Sequence, residues 1–316
     1  MLKLAIVGAG IMGANHARIG AQLRDAAVTH VVDPDPGRAA KLAASVDAVA
    51  LTDPADLVGV VDAAVVAVPT ELHRRVAGPL LDAGIHVLVE KPIAPTTDDA
   101  DDLIARAAAA DVTLMVGHVE RYNPAVLELD GLLDRPVHIS ATRVSPFSPR
   151  VTVGVVLDLM IHDIDIVLAL AGGEPTRIEA VLSSVRTENE DLASVVMEFD
   201  NGVTASLLAS RIGQQKIRTL EVTQAENYLS VDLLRQDVTV HRVDHSEYLS
   251  DAGARYRQVG VVEIPFLEHR GEPLALELGD FVHACTGREE PRVTGAAGRR
   301  ALAVAQQVLA SADRSS

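Results

Sequence analysis

Two stretches of the chain carry side chains whose types and spacing could do chemistry. In VVLDLMIHDIDI (155–166) an apolar helical run is interrupted by Asp158 and His162, four residues apart, and by Asp165 three further on, so all three project from one helix face. A carboxylate one turn from an imidazole fixes its tautomer and raises its basicity, which suits a general base for a hydroxyl proton. Structural readings of the same residues stay open: Asp158 as a helix N-cap, His162 as a core histidine bonded to a backbone carbonyl, and Asp163 or Asp165 as solvated charges. A metal on D-x-x-x-H-x-x-D would need further ligands that the sequence does not nominate, so no metal is expected.

The second stretch is VEKPIA (89–94), where an apolar run ends in Glu90, Lys91 and Pro92. Proline cannot continue a strand's hydrogen-bond ladder, so the strand stops here. Lys91 is left at its carboxyl end, where ligands of open α/β sheets bind. Lys3, Lys41, Lys91 and Lys216 are the only lysines, and arginine supplies the remaining positive charge. A lysine kept where arginine is the habit points to a compact charge able to shift its pKa. A solvated Glu–Lys pair beside a turn is the plainer alternative.

These groups need elements to position them. Residues 3–7 form an apolar strand that runs into GAGIMG (8–13) and a helical stretch, which is the G-x-G-x-x-G pattern in the setting that gives it meaning. Gly8 permits the tight turn, Gly10 lets a pyrophosphate approach the backbone, and Gly13 lets helix pack on strand. A second strand, 28–32, ends in Asp33, placed to accept from the adenosine ribose hydroxyls and to repel a 2′-phosphate. NAD is therefore expected over NADP, with Arg38 close enough to soften the preference. Asp35-Pro36 opens a helix as N-cap and first-turn proline. Further strands at 62–68, 86–89 and 113–117 alternate with helices, which implies a doubly wound parallel sheet. Cofactor contacts are expected from Gly8, Gly10, Ile11, Met12, Gly13, Asp33, Val68, Pro69, Thr70, His73, Glu90 and Lys91. His73 also reads as a solvated helix residue.

After about residue 117 the pattern changes. HVERYNP (118–124) reads as a polar crossing segment, a short helix follows, and then period-2 segments appear at 137–143, 192–199, 203–210, 217–223, 228–234 and 238–243. Asp200-Asn201-Gly202 is a hairpin signal. Strands without interleaved helices imply a largely antiparallel sheet with one open face, and a second copy of the chain is the expected cover. Residues 243–272 read as irregular and acidic, and helices at 274–285 and 296–312 close the chain. The expected architecture is α/β: a Rossmann domain over 1–118 and an α+β domain with a large, mainly antiparallel open-faced sheet over 119–316, for substrate binding and oligomerisation. A net charge of -16 argues against a nucleic-acid surface. No apolar stretch approaches the roughly 20 residues of a membrane span. Cys285 stands alone, so an internal disulfide is excluded and a cytoplasmic setting is expected.

With GAGIMG (8–13), Asp33, Pro69-Thr70 with His73, VEKPIA and D-x-x-x-H at 158–162 in place, the chain resembles the Gfo/Idh/MocA family of NAD(P)-dependent oxidoreductases along nearly its whole length. The resemblance implies a sugar or cyclitol held between the two domains and marks Lys91, Asp158 and His162 as the catalytic set. GHVERYNPAV (117–126), ATRVSPFSPR (141–150) and DLMIHDIDI (158–166) look like the sugar-nucleotide branch, most closely UDP-N-acetylglucosamine 3-dehydrogenases. On that basis Arg121, Tyr122, Asn123, Arg143 and Arg150 are expected to grip sugar and diphosphate beside Lys91, Asp158 and His162. One departure is that only Gly154 stands where many members have a glycine-rich approach to the catalytic aspartate. The alternatives are a dehydrogenase or ketoreductase of another sugar or inositol, and a non-catalytic cofactor-binding regulator.

Overall fold

The structure is a computed structural model that describes residues 1–148, 153–250 and 253–312. It divides into two compact units, Met1–Tyr122 with Gly271–Ala303, and Asn123–Arg270 with Val304–Ser316. A single linear boundary after residue 118 does not include the return of 271–303 to the first unit.

The first unit runs β1 (Leu2–Val7), α1 (Ile11–Gly20), β2 (Ala26–Val32), α2 (Pro36–Ser45), β3 (Val49–Leu51), β4 (Ala63–Val66), α3 (His73–Asp82), β5 (His86–Glu90), α4 (Thr97–Ala109) and β6 (Leu114–Gly117). The six strands form one parallel sheet in the order β3-β2-β1-β4-β5-β6. The order reverses between β1 and β4, which makes the carboxyl end of β1 the switch point where such sheets bind ligands. Parallel strands are covered on both faces, and Leu4, Ile6, Val65 and Leu88 accordingly show no exposed surface. Each such side chain contributes about 1.5–3 kcal/mol of burial. Asp35 caps α2 as expected, its Oδ1 accepting from Gly37 N at 2.8 Å and Arg38 N at 3.1 Å.

The second unit contains α5 (Pro124–Leu132), β7 (Pro136–Pro146), a π-helical turn at Val156–Met160 that runs into α6 (Ile161–Ala171), and then β8 (Pro175–Ser183), β9 (Leu192–Phe199), β10 (Thr204–Gly213), β11 (Ile217–Gln224), β12 (Tyr228–Asp232), β13 (Asp237–Ser250) and β14 (Gly253–Glu263). Among the described residues these strands form one sheet in the order β14-β13-β12-β11-β7-β10-β9-β8. Pairing is antiparallel except between β7 and β10. The Asp200-Asn201-Gly202 hairpin joins β9 to β10, with Gly202 at φ 85°. The irregular reading of 243–272 is corrected: β13 and β14 pair from Val240↔Glu263 to Ser250↔Gly253. Charged residues such as Arg242 and Asp244 break the apolar alternation along β13. The helices α7 (Pro273–Cys285) and α8 (Gly295–Ala312) close the chain.

Burial alternates along β9 and β10, with Ala193, Val195, Met197, Ala205, Leu207 and Ala209 facing inward. That face packs on the π turn and α6. The opposite face leaves Val181, Val196 and Leu208 exposed at 66%, 52% and 37%.

Candidate active site

The glycine loop is shaped by close backbone approach. Gly8 lies at φ 104°, and a Cβ there would meet the Ala67 carbonyl oxygen at 2.4 Å. A Cβ on Gly13 would sit 1.7 Å from the Gly8 carbonyl oxygen. The position of a Gly10 Cβ is open, and the first turn of α1 has no side-chain cap. A diphosphate fits this cradle, since it needs uncovered backbone N–H groups at a helix N-terminus. Asp33 ends β2 and is 4% exposed; its carboxylate accepts from Ala9 N and Asp35 N at 2.9 Å each. Arg38 Nη2 lies 2.9 Å from Asp33 Oδ1. Asp33 thereby fixes the loop. Ile11 is exposed, and Met12, Val68 and Thr70 are half-exposed. These residues would hold NAD by backbone and ribose contacts.

The side chains of Glu90 and His73 are engaged within the first unit. His73 is 1% exposed, and its ring bridges the loop after β4 to the turn after β5. Its Nδ1 lies 2.9 Å from the Pro92 carbonyl oxygen and its Nε2 lies 3.0 Å from that of Val68. Burial pushes the imidazole below its usual pKa, against the opposing pull of these carbonyls. Glu90 is 8% exposed; its Oε1 lies 2.8 Å from His16 Nε2, and its Oε2 accepts from Lys91 N at 3.3 Å. Both residues therefore brace the turn from inside, because their polar atoms are already engaged by the protein. Lys91 is half-exposed at the end of β5, and the Lys91–Pro92 peptide is cis. Near Glu90 lies Glu277 of α7, fully buried, with burial and the nearby Glu90 and Asp280 charges pushing its carboxyl pKa up.

In the second unit Asp158 sits within the π turn and His162 one turn later, both half-exposed, as are Leu157 and Leu159, on a helix whose residues 163–168 are buried. Asp158 is no N-cap: the turn's first residues are held by Glu190, whose backbone oxygen accepts from Val155 N at 2.9 Å and whose Oε1 accepts from Val156 N at 3.2 Å. Asp163 and Asp165 are buried, at 3% and 2%, so neither is a solvated charge. Asp163 takes Arg143: Nε and Nη2 of Arg143 reach its carboxylate at 2.7–3.1 Å. Arg143 is itself 1% exposed, so the pair is a buried one. On β10, Arg211 is 4% exposed with Nη2 at 3.6 Å from Asp158 Oδ2.

Gly154 has a packing reason. A Cβ there would lie 1.9 Å from Glu190 Oε1 and 2.2 Å from its Cδ. Gly154→Ala is expected to push Glu190 off the turn, uncovering Val156 N and costing about 1–2 kcal/mol. Urea unfolding measures the loss; wild-type stability would mean that Glu190 swings clear at no cost.

The remaining expected substrate contacts divide. Arg121 is half-exposed. Tyr122 is 3% exposed and donates to Asp280 Oδ2 at 2.5 Å, with burial and that carboxylate pushing the phenol pKa up. Asn123 is 2% exposed, caps α5 by accepting from Ala125 N, and donates to the Leu233 carbonyl. Both have polar groups bonded inside their own units. Arg150 lies outside the described residues. His16, Glu190, Asp191, Arg211 and Glu277 went unremarked in the sequence. Asp191 is buried, and although burial raises its pKa, N–H bonds from Arg186, Val185 and Thr187 and the Thr187 hydroxyl bring it down to about 2. Arg211 had a usable signal, because it continues the inward series Ala205, Leu207, Ala209.

Among the described residues no group of three or more His, Cys, Asp or Glu side chains is placed to hold a metal ion. No helix among them is long and apolar enough to cross a membrane. A family model described as "Oxidoreductase family, NAD-binding Rossmann fold" matches residues 2–118, and one for the GFO/IDH/MocA C-terminal domain matches 99–228. UDP-N-acetylglucosamine 3-dehydrogenase of Acidithiobacillus ferrooxidans is 33% identical over 97% of this chain and 96% of its own. A solved structure of that enzyme superposes with a TM-score of 0.89 at 32% identity, covering 98% of this chain and 97% of the other. A myo-inositol 2-dehydrogenase of Thermotoga maritima is 27% identical over 95% of this chain and 93% of its own.

Proposed function

Because the chain belongs to the Gfo/Idh/MocA family of NAD-binding oxidoreductases and is a dehydrogenase of CH–OH groups, we propose that it oxidises the 3-hydroxyl of UDP-N-acetylglucosamine to a ketone. NAD, held by the Gly8–Gly13 loop and Asp33, would supply the acceptor for the hydride lost from the sugar carbon. His162 takes the hydroxyl proton; its Nδ1 is buried, which leaves Nε2 as the acceptor. Asp158, four residues earlier on the same helix face, balances the imidazolium charge. Lys91 stabilises the developing alkoxide with a positioned charge. The half-exposed Asp158–His162 pair on a buried helix carries the dehydrogenase half of this assignment. The sugar nucleotide rests on the full-length likeness at 33% identity.

An inositol or another polyol is the second reading, supported by the full-length likeness to an inositol dehydrogenase. The test is absorbance of the reduced cofactor when protein and NAD or NADP meet UDP-N-acetylglucosamine, other nucleotide sugars and inositols. Turnover is expected with the UDP sugar and NAD, and a 2-oxo acid added to reoxidise bound NADH reveals slow product release. Turnover with inositols alone moves the assignment to them. Tight NAD binding without turnover on any of these substrates would make the protein a cofactor-binding regulator.

We also propose a homo-oligomer formed through the exposed sheet face bearing Val181, Val196 and Leu208, and a cytoplasmic setting consistent with the single Cys285. An isolated apolar row on an open sheet calls for cover. Sedimentation of a monomer at micromolar concentration would refute the oligomer.

A further inference from the structure

We propose that Arg211 is a positioning residue for the Asp158–His162 pair, its buried charge setting the proton affinity of the imidazole through the carboxylate. The inference rests on the assignment of that pair as the proton-accepting machinery. Arg211 lies on the inward face of β10, against the π turn that carries Asp158. Its Nε, Nη1 and Nη2 are buried, and among the described residues none of them has a hydrogen-bond partner. The near charge is Asp158 Oδ2 at 3.6 Å, beyond hydrogen-bond length but within ion-pair range.

A guanidinium has five N–H donors, and burying one without hydrogen bonds is costly. The neighbouring Arg143, by contrast, donates through Nε and Nη2 to both oxygens of Asp163. The same sheet face thus holds one arginine built into a complete pair and another left incompletely bonded beside Asp158. Because the Arg211 nitrogens are buried, the guanidinium cannot touch substrate in this conformation and must act through Asp158. Its β10 backbone is fixed by Arg211 N donating to the Asp191 carbonyl at 2.9 Å, next to Glu190, which holds the start of the π turn. The charges facing this pair are therefore Arg211 on β10, Arg143 on β7, Arg218 on β11, Asp163 and Asp165 on α6, and Glu190 at the helix start. Of these, Arg211 lies within ion-pair range of Asp158, while Arg143 is paired to Asp163.

Neutralising Arg211 leaves Asp158's negative charge less balanced and makes protonation of His162 more favourable. The test is an NMR titration of histidine Cε1–H resonances in the full-length protein, with His162 assigned by its loss in His162→Gln. In Arg211→Gln the His162 midpoint is expected to rise by at least about half a pH unit, and Arg211→Lys should recover much of the shift. Arg211→Met is the second neutral variant, should the glutamine variant not fold. An unchanged midpoint in a folded neutral variant overturns the proposal.

With a turned-over substrate, neutral variants should also lose roughly 10- to 100-fold in kcat with KM within about twofold, less than the removal of a general base. The acid limb of the pH–rate profile should move to higher pH, and the lysine variant should restore it. A kcat loss without movement of that limb assigns Arg211 a structural role instead. Absence of turnover with every polyol would defeat the dehydrogenase substrate assignment, while the His162 titration would still decide the role of Arg211.

Discussion

Lys91→Met is expected to lower kcat/KM by about a thousandfold while leaving NAD affinity within about twofold. Methionine keeps an unbranched apolar stem and removes the charge. One donor aimed at a developing oxyanion contributes roughly 10²–10³ in rate, and a water-poor site strengthens it. The backbone around Lys91 does not depend on its ammonium: Pro92 follows, Glu90 is held by His16, and Lys91 N itself bonds Glu90 Oε2. The cofactor cradle of Gly8, Gly10, Gly13 and Asp33 lies on other elements of the same unit. Lys91→Arg should not rescue, because a planar fork places its charge differently from a compact ammonium. Steady-state kinetics with fluorescence titration of NADH separate the two effects. Retention of more than a tenth of wild-type activity would remove Lys91 from the catalytic set.

Much of the first unit was legible in the sequence because parallel strands announce themselves as continuous apolar runs, and because the glycine spacing answers to backbone contacts that tolerate little variation. Gly8 and Gly13 are explained by contacts of 2.4 Å and 1.7 Å that a Cβ would make. The second sheet was legible where alternation was strong, as in Leu192–Phe199, and illegible at its edges. In β8 most side chains are exposed, and in β13 charge hides the period. Edge strands need less apolar patterning because only part of their surface is buried.

The chemistry was legible as residue types and much less so as roles. Lys91, Asp158 and His162 are half-exposed on buried elements, which is where working groups belong. His73, Glu90, Tyr122, Asn123 and Arg143 are polar residues in the same neighbourhoods of the sequence, yet they are 1–8% exposed and bonded within their units. Spacing cannot distinguish a side chain that faces a ligand from one that supports the residue beside it. The distinction depends on long-range partners, such as Pro92 for His73 and Asp163 for Arg143, and neither partner follows from local period. Asp163 is adjacent to His162, so the residue that anchors the helix and the one assigned to chemistry alternate along a single turn.

That adjacency makes Arg143 and Asp163 the pair whose separation should be most damaging to the fold. Arg143→Met leaves the Asp163 carboxylate buried without its cation, and loss of one partner from a buried pair costs about 3–5 kcal/mol. For a unit of this size the melting temperature should fall on the order of 10 °C. Asp163→Leu alone should cost a similar amount, because it leaves the guanidinium buried and uncompensated. The double variant Arg143→Met/Asp163→Leu removes both charges and should recover most of the loss, since well-packed apolar replacements of buried pairs are often neutral. A urea-unfolding cycle over the four proteins measures the coupling, and additive losses would show that the pair does not act as a unit. Turnover provides a separate readout: the salt bridge also fixes the rotation of α6 about its axis, and His162 follows that rotation. If stability returns in the double variant while kcat remains low, the pair serves the placement of His162 as well as the fold. If kcat returns with stability, apolar packing alone is sufficient to hold the helix in register.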